Sequence, residues 1–234
     1  PMTQTDTRPQ LAVNGGPSAR TQPFPRRQLF DLESKQAAVD LFDQALAETD
    51  SILGYHGAQE TGYCEEFAAF MGGGFAEGVN SGTNAAFVAL RALELPAFSE
   101  VIVPAITDCG GVMPVVFCNC IPVPADCAPG SYNAGPEQIA ARVTERTSAI
   151  VVAHITGLPV DMDPVLEIAR STGVPVVEDC AQSHGARYKG ELTGTLGDIS
   201  FFSTMFGKHH ATGGQGGVVF TKSEDLYWKA RRNS

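Results

Sequence analysis

Apolar stretches of two kinds alternate along most of the chain. Short runs such as EVIVPA (100–105), SAIVVAHI (148–155) and VPVVED (174–179) have the length and composition of buried strands. Between them, SGTNAAFVALRAL (81–93) and MDPVLEIARSTG (162–173) carry apolar residues at helical spacing. Strands that are apolar throughout are covered on both faces, and their alternation with helices is typical of parallel sheets. The pattern predicts a three-layer α/β/α fold with a mainly parallel central sheet.

The same criteria extend this series along the sequence. They predict further helices at residues 33–48, 64–73, 109–118 and 135–143, and further strands at 75–79, 121–126, 198–204 and 216–221. Residues 1–30 are instead polar and rich in proline, which predicts an extended N-terminal arm. Because no internal repeat or separate second domain is evident, residues 31–234 are expected to form one domain.

Composition and charge narrow the classes of partner. The 234 residues carry a net charge of −10 and contain no block of basic residues. Such a chain is poorly suited to nucleic acid or to an anionic membrane surface. No apolar run is long enough for a membrane helix, and the first residues lack the pattern of a secretion signal. We therefore expect a cytoplasmic protein with no nucleic-acid or membrane partner.

The cysteines and histidines do not have the spacing of a metal site. Cys118 and Cys120 form a CNC sequence, whereas zinc sites use Cys-x-x-Cys pairs. In a chain of this length without a secretion signal, free thiols are expected. His209 and His210 are adjacent, and neighbouring residues of an extended chain point in opposite directions. No metal site is predicted, and His184 is expected either to orient a cofactor or to be a hydrogen-bonded structural residue.

The turn NSGTNAA (80–86) lies between a predicted strand and a predicted helix. Free N–H groups and the helix dipole favour a phosphate at such a helix start. The alternative is that Ser81 or Thr83 only caps the helix. The turn is not a P-loop and lacks the G-x-G-x-x-G of dinucleotide sites. It is a candidate phosphate site that needs support from other residues.

Acidic residues end the strand within VVEDCAQSHGA (176–186). Glu178 and Asp179 point to opposite faces if the strand continues through both. Asp179 is the better candidate to face the carboxyl-end edge of the sheet, where such folds bind ligands. A buried carboxylate there needs a cationic partner or strong donors, and a protonated pyridine nitrogen meets this need. The alternative is a helix N-cap.

Lys208 follows an apolar stretch and precedes a glycine-rich turn, within FFSTMFGKHHATGGQGGVVF (201–220). A lysine becomes nucleophilic when desolvation or nearby cations remove its proton. The alternative is an ordinary solvated lysine. Ser203, five residues earlier, could donate to a phosphate. Taken together, a phosphate turn, an acid at a strand end and a lysine are what pyridoxal 5′-phosphate (PLP) requires.

Several longer motifs occur in one order from about residue 30 to residue 234. They are VNSGTNAAFVALRAL, VIVPAITD, AHITGLPVDMDPV, VPVVEDCAQSHGARYKGELTGTLGDISFFS and a lysine followed by GGQGG. In these motifs the chain resembles the DegT–StrS family of PLP-dependent sugar aminotransferases, which have fold type I. The resemblance implies that residues 31–234 are the PLP-binding large domain. It also implies a homodimer and a small C-terminal domain, which is expected to lie outside these residues.

The resemblance also implies roles for individual residues. Lys208 would form the internal aldimine with PLP and move the proton between cofactor and substrate carbons. Asp179 would keep the pyridine nitrogen protonated, and Gln182 would lie against the ring or its phenolic oxygen. The phosphate would be held by Gly82, Thr83 and Ser203.

Two positions depart from the family pattern. Asp108 stands where an aromatic residue usually stacks on the PLP ring. It remains a predicted cofactor-binding residue, with contact to a polar substrate as the alternative. Gln215 replaces an acidic residue in the glycine-rich turn, which keeps the hydrogen bonding and removes a charge.

The resemblance implies an aminotransferase that moves an amino group from glutamate or glutamine to a keto-sugar or a cyclitol ketone. The segment LAVNGGPSAR is similar to the start of members that act on amino-cyclitols. One alternative is a PLP-dependent deoxysugar dehydratase, although such members carry histidine in place of the lysine. The other alternative is a catalytically impaired PLP-fold protein that binds a ligand or a partner.

Overall fold

The computed structural model describes residues 10–24, 29–47 and 56–234. In the first of these ranges, Ala12–Asn14 forms a 3₁₀ turn, and the other residues belong to neither helix nor strand. The remainder of the predicted N-terminal arm lies largely outside the described residues, so the arm stays a prediction.

The elements follow one another in the predicted alternation. The helices are α1 (Leu32–Ala47), α2 (Ala58–Phe70), α3 (Gly82–Ala92), α4 (Cys109–Phe117), α5 (Pro136–Ala140), α6 (Met162–Thr172) and α7 (Glu224–Arg231). The strands are β1 (Phe75–Val79), β2 (Glu100–Pro104), β3 (Ile121–Ala125), β4 (Thr147–Ala153), β5 (Val176–Asp179), β6 (Arg187–Tyr188), β7 (Glu191–Leu192), β8 (Ile199–Ser203) and β9 (Gly217–Thr221). Among the described helices, none combines the length and the apolar character needed to cross a bilayer.

Seven of the strands form one sheet in the order β1-β9-β8-β5-β4-β2-β3. The run from β8 to β3 is parallel throughout, whereas β9 is antiparallel to both of its neighbours. The predicted mainly parallel sheet is therefore confirmed. Because β5 and β8 are parallel neighbours, their last residues, Asp179 and Ser203, lie at the same edge of the sheet.

Helices cover both faces of this sheet. In β4, Val151 packs in a hydrophobic cluster with residues of α3, α4 and α7, whereas its neighbour Ile150 packs with residues of α5 and α6. Near β9, a third cluster joins Phe67 of α2 to Phe202 and Phe220. Successive strand residues thus face opposite layers, as expected for an α/β/α sandwich.

Helix α2 differs most from its prediction, because it spans Ala58–Phe70 and not residues 64–73. The earlier start adds Ala58, Gln59 and Glu60, which are all good helix formers. The earlier end has a backbone cause: Gly72 and Gly73 follow with φ of +87° and +98°, a conformation that favours glycine and ends helices.

The small β6-β7 hairpin was not predicted. Each of its strands has two residues, which is too short for any alternation of polar and apolar positions to be seen. Its turn contains Lys189 and Gly190, with φ of +50° and +96°. A lysine is an unusual residue for that conformation, so the turn carried little sequence signal.

A substitution at Ile150 tests whether this residue lies in the hydrophobic core. It is fully buried, and β4 lies between β2 and β5. We expect Ile150→Ala to lower the free energy of unfolding by about 3 kcal/mol, because apolar burial is lost and a cavity remains. Ile106→Ala is the matched control, since Ile106 is 45% exposed, and it should cost less than about 1 kcal/mol. Urea unfolding measures both variants, and equal losses would contradict the assigned core.

Candidate active site

A cavity of about 210 Å³ lies at the edge of the sheet where β5 and β8 end. Six of the seven predicted site residues line it: Gly82, Thr83, Asp108, Asp179, Ser203 and Lys208. They come from the starts of α3 and α4, the ends of β5 and β8, and the loop after β8. The parallel strand order explains the convergence, because carboxyl ends and the helix starts that follow them share one edge.

Helix α3 begins at this cavity. Ser81 is its N-cap residue, and its hydroxyl oxygen accepts a hydrogen bond from the Asn84 N–H at 3.1 Å. Gly82 and Thr83 are the first two helical residues, and N–H groups at such positions have no partner within the helix. The capping and phosphate interpretations are therefore compatible. Ser81 caps the helix, while the next two residues offer donors to an anion.

Two glycines allow the walls of the cavity to approach closely. A Cβ atom at position 82 would lie 2.6 Å from the Ser203 Cβ, and one at position 111 would lie 2.8 Å from the Asp179 Oδ2. Both distances are shorter than van der Waals contact, so a larger residue would push the wall or the carboxylate aside. Glycine at these positions keeps Ser203 and Asp179 in place around the cavity.

Asp179 ends β5 with its side chain almost entirely buried, at 7% exposure. Its Oδ1 accepts a hydrogen bond from the Ala181 N–H at 3.0 Å, within a turn and not at a helix start. Burial raises the pKa of Asp179 to about 6, against the lowering effects of the Ala181 hydrogen bond and the Lys208 charge. The cost of burial therefore outweighs these favourable contacts, and a further cation beside the carboxyl would favour its ionised form.

Lys208 lies on the loop that joins β8 to β9. The loop is tied across its base by hydrogen bonds from the Thr204 N–H to the Gly216 carbonyl at 2.9 Å and from the Phe206 N–H to the Gly214 carbonyl at 3.1 Å. The Lys208 N–H donates to the Met205 carbonyl at 2.8 Å. These bonds hold the half-buried lysine in the cavity wall, so it is not a solvated strand-end residue.

Asp108 has a structural role that the sequence did not indicate. It is the N-cap of α4, and its Oδ1 accepts the Gly110 N–H at 2.8 Å. It also lines the cavity, and its charge opposes ionisation of Asp179. Asp108 therefore caps a helix at the position where the resemblance implies an aromatic ring.

Gln182 is the predicted residue that the structure does not bring to the cavity. Its Oε1 accepts the Thr156 N–H at 2.8 Å, and Gln182 is absent from the cavity lining. The expected contact between Gln182 and a cofactor ring has no support in this geometry, because the amide oxygen is committed to backbone. Gln215 of the glycine-rich turn does line the cavity.

Glu178, which precedes Asp179, is a second buried carboxylate with a different role. Its Oε1 accepts the N–H groups of Leu196 and Gly197 at 2.8 and 2.6 Å. Its Oε2 accepts the Gly194 N–H at 2.8 Å and lies 3.0 Å from the His154 Nε2. Four donors thus surround the two carboxyl oxygens, which fixes the turn at 194–197 against the end of β5.

His154 completes this arrangement. Its Nδ1 accepts the Val160 N–H at 3.0 Å, so we assign the ring proton to Nε2, which donates to Glu178. The His154 N–H donates to the Asp179 carbonyl at 3.2 Å. Sequence analysis missed this pair because its members lie 24 residues apart, in two different motifs, and no spacing rule connects them. Its position next to Asp179 makes it the support of the candidate site.

Glu178→Gln tests this support. The glutamine amide would place its NH₂ group against N–H donors, so we expect a loss of about 3 kcal/mol in the free energy of unfolding. Glu167→Gln makes the same change at a side chain that is 72% exposed and paired with Arg170, and it should cost less than about 0.5 kcal/mol. Thermal and urea unfolding give the comparison, and a neutral Glu178→Gln would rule out the four-donor arrangement.

Comparison with known sequences agrees with this site. The profile of the DegT/DnrJ/EryC1/StrS aminotransferase family matches residues 35–233. The L-glutamine:2-deoxy-scyllo-inosose aminotransferase of Streptomyces lividus is 37% identical over 219 residues, which make up 92% of this chain and 51% of that protein. The chain therefore spans about half the length of the curated relatives it matches.

Comparison with solved structures gives the same result. An aminotransferase from Psychrobacter cryohalolentis aligns with a TM-score of 0.78 at 36% identity, covering 90% of this chain and 51% of that one. The E. coli GDP-4-keto-6-deoxy-D-mannose-3-dehydratase, solved with bound hydrated PLP, aligns with a TM-score of 0.78 at 25% identity, covering 86% and 51%. By its profile match and its fold, this chain belongs to the DegT/DnrJ/EryC1/StrS aminotransferase family.

Proposed function

We propose that this chain carries the cofactor site of a PLP-dependent aminotransferase. The observation that carries the proposal is the convergence of Lys208, Asp179 and the start of α3 on one cavity. These residues lie far apart in the sequence, and each provides what one part of PLP requires.

The lining of the cavity fits the three functional groups of PLP. The N–H groups of Gly82 and Thr83 and the hydroxyl of Ser203 would hold the phosphate. The buried Asp179 would pair with the protonated ring nitrogen, and Lys208 would supply the amine that binds the carbonyl carbon. Because Gly111 has no Cβ atom, no side chain at this position crowds the Asp179 carboxylate, which stays open for that pairing.

The residues of this chain then have distinct tasks. When bound, PLP supplies an electron sink for negative charge on the carbon next to the transferred nitrogen. Asp179 favours protonation of the ring nitrogen, because a cation beside it compensates for the cost of burying the carboxylate. Lys208 would take up and return a proton at its Nζ. The turn at Gly82 anchors one end of the bound molecule.

The relatives suggest the class of substrate. The Streptomyces lividus protein is named as an L-glutamine:2-deoxy-scyllo-inosose aminotransferase, and we propose glutamine or glutamate as the amino donor here. The proposed acceptor is a keto-sugar or a cyclitol ketone. A homodimer is the proposed working form, on the strength of the resemblance described above.

Two other functions are separated from this one by particular residues. A deoxysugar dehydratase is disfavoured by Lys208, because the resemblance gives such members a histidine at this position. A PLP-fold binding protein without turnover is the second alternative, and the acid at Asp108 in place of a stacking ring is the feature that favours it. Response to amino donors distinguishes it from an aminotransferase.

Lys208 provides the direct test of the proposed function. PLP added to the protein should give a visible absorbance band that shifts with glutamine or glutamate. Borohydride reduction should place the mass of the cofactor on Lys208. Lys208→Ala should lose the band and the covalent mass, whereas Lys222→Ala, at an exposed lysine, should keep both. An unchanged spectrum in Lys208→Ala contradicts the proposal, and a band that no amino donor shifts favours the binding protein.

Asp179 links the site to stability. Its pKa rises from 3.8 unfolded to about 6 folded, so between these values the folded chain binds more protons than the unfolded one. Stability without PLP should therefore fall as the pH rises from 4 to 6, by about 2 kcal/mol. Asp179→Asn keeps an oxygen for the Ala181 N–H and removes this cost.

Denaturant unfolding of the PLP-free protein measures this effect. At pH 7.5, Asp179→Asn should be more stable than the wild type, and the fall between pH 4 and 6 should be reduced. The same variant should bind PLP at least about tenfold more weakly, because the ionic partner of the ring nitrogen is gone. A variant that is less stable and binds PLP normally would show that Asp179 has a structural role only.

A further inference from the structure

The loop that joins β8 to β9 carries Lys208, and we call residues 204–216 the Lys208 loop. Bonds within the loop fix its shape. The Thr212 N–H donates to the Thr204 carbonyl at 3.1 Å, and the hydroxyl oxygens of the same two residues lie 2.7 Å apart. These bonds, like those across the base of the loop, join one loop residue to another. They do not fix how the tip of the loop lies against the rest of the domain.

The tip of the loop contacts helix α2 through His210. The Tyr63 hydroxyl oxygen lies 3.0 Å from the His210 Nε2, which is a hydrogen-bond distance. The two rings are nearly parallel, with an interplanar angle of 9° and centroids 5.7 Å apart. Because His210 follows Lys208 by two residues, this contact acts on the segment that carries the lysine.

Tyr63 is itself held by ring contacts that lead back to β8. Its ring centroid lies 6.1 Å from that of Phe67, and Phe67 packs edge to face on Phe202 with centroids 5.0 Å apart. Phe67 and Phe202 belong to a buried hydrophobic cluster, and Tyr63 packs against it. Phe202 is a residue of β8, the strand that leads into the Lys208 loop. The rings from His210 to Phe202 therefore connect the tip of the loop to the strand at its base.

Both partners of the hydrogen bond are neutral at pH 7.5. Burial raises the pKa of the Tyr63 hydroxyl, so this group keeps its proton. Burial lowers the pKa of His210, so its imidazole is uncharged. The His210 Nε2 can then accept from the Tyr63 O–H or donate to the Tyr63 oxygen, according to the tautomer. The bond is therefore available in either tautomer.

The contact between Tyr63 and His210 lies outside the candidate PLP cavity. Both residues line a different cavity, together with Phe202, whose side chain points away from Lys208. Neither of them lines the cavity that contains Lys208 and Asp179. An effect of Tyr63 on chemistry at the cofactor therefore has to act through the loop.

We propose that Tyr63 is a positioning residue that holds Lys208 in place through its contact with His210. This role rests on the proposed function, in which the Lys208 amine reacts with PLP. A loop that is fixed at its tip as well as at its base restricts the positions that the Lys208 Nζ can reach. A reaction that needs this amine at one carbon atom depends on such positioning. Loss of the hydrogen bond loosens the loop and slows the reaction with PLP.

Tyr63→Phe tests the effect on the loop, because it keeps the ring and removes the hydroxyl. In the PLP-free protein at pH 7.5, backbone hydrogen exchange in residues 205–212 should be about fivefold faster, the effect of one hydrogen bond. Exchange in β4 should not change. Tyr132→Phe makes the same substitution at a tyrosine that is 63% exposed, and it should leave exchange in the loop unchanged. Mass spectrometry of peptides from the exchanged protein gives the comparison.

The reaction with PLP tests the effect on Lys208. After PLP is mixed with the protein, the visible absorbance band should form about fivefold more slowly in Tyr63→Phe than in the wild type. Tyr132→Phe should react at the wild-type rate. His210→Ala should slow the reaction at least as much as Tyr63→Phe. Adding Tyr63→Phe to His210→Ala should have no further effect, because the two residues act as a pair.

Three results would overturn the proposed role of Tyr63. These are unchanged exchange in the loop of Tyr63→Phe, faster exchange with an unchanged rate of band formation, or additive effects of the two substitutions. The second result would show that the contact orders the loop without positioning Lys208. Failure of the proposed function looks different, because the wild type itself would then form no visible band.

Discussion

The buried carboxylate of Asp179 is the group on which the candidate site depends. It accepts a hydrogen bond from the Ala181 N–H at 3.0 Å, and burial raises its pKa to about 6. An acid held in this way at the end of a central strand is costly for the fold alone. It is well suited to a ligand with a protonated nitrogen, and the lysine and helix start that share its cavity provide the other contacts of PLP.

The two adjacent acidic residues at the end of β5, Glu178 and Asp179, have different roles. Glu178 faces one layer, where four donors satisfy it, and Asp179 faces the cavity, where one donor does. The alternation of a strand makes this division possible, since neighbouring side chains point to opposite faces. The Glu178–His154 pair fixes the strand end, because the His154 N–H also donates to the Asp179 carbonyl. The same alternation in β8 turns Phe201 and Ser203 toward the cavity at Asp179 and Phe202 toward the opposite face.

The sequence predicted most of the fold and most of the site, for local reasons. Apolar runs and helical spacing marked the sheet and its helices, and the carboxyl-end rule brought Asp179, Ser203 and Lys208 together. The features that the sequence did not predict depend on contacts between residues that are distant in the sequence. Gln182 bonds to Thr156, 26 residues away, and Glu178 pairs with His154, 24 residues away. No spacing rule predicts such contacts, because they depend on how distant segments pack in three dimensions.

We propose that the cavity at Asp179 binds PLP through the ring nitrogen and the phosphate of the cofactor. The most direct measurement is a crystal structure of the protein soaked with PLP. We expect the ring nitrogen within about 3 Å of the Asp179 carboxylate, the phosphate at the start of α3, and electron density continuous with the Lys208 side chain. A PLP molecule bound elsewhere, or one whose ring nitrogen faces away from Asp179, would contradict it.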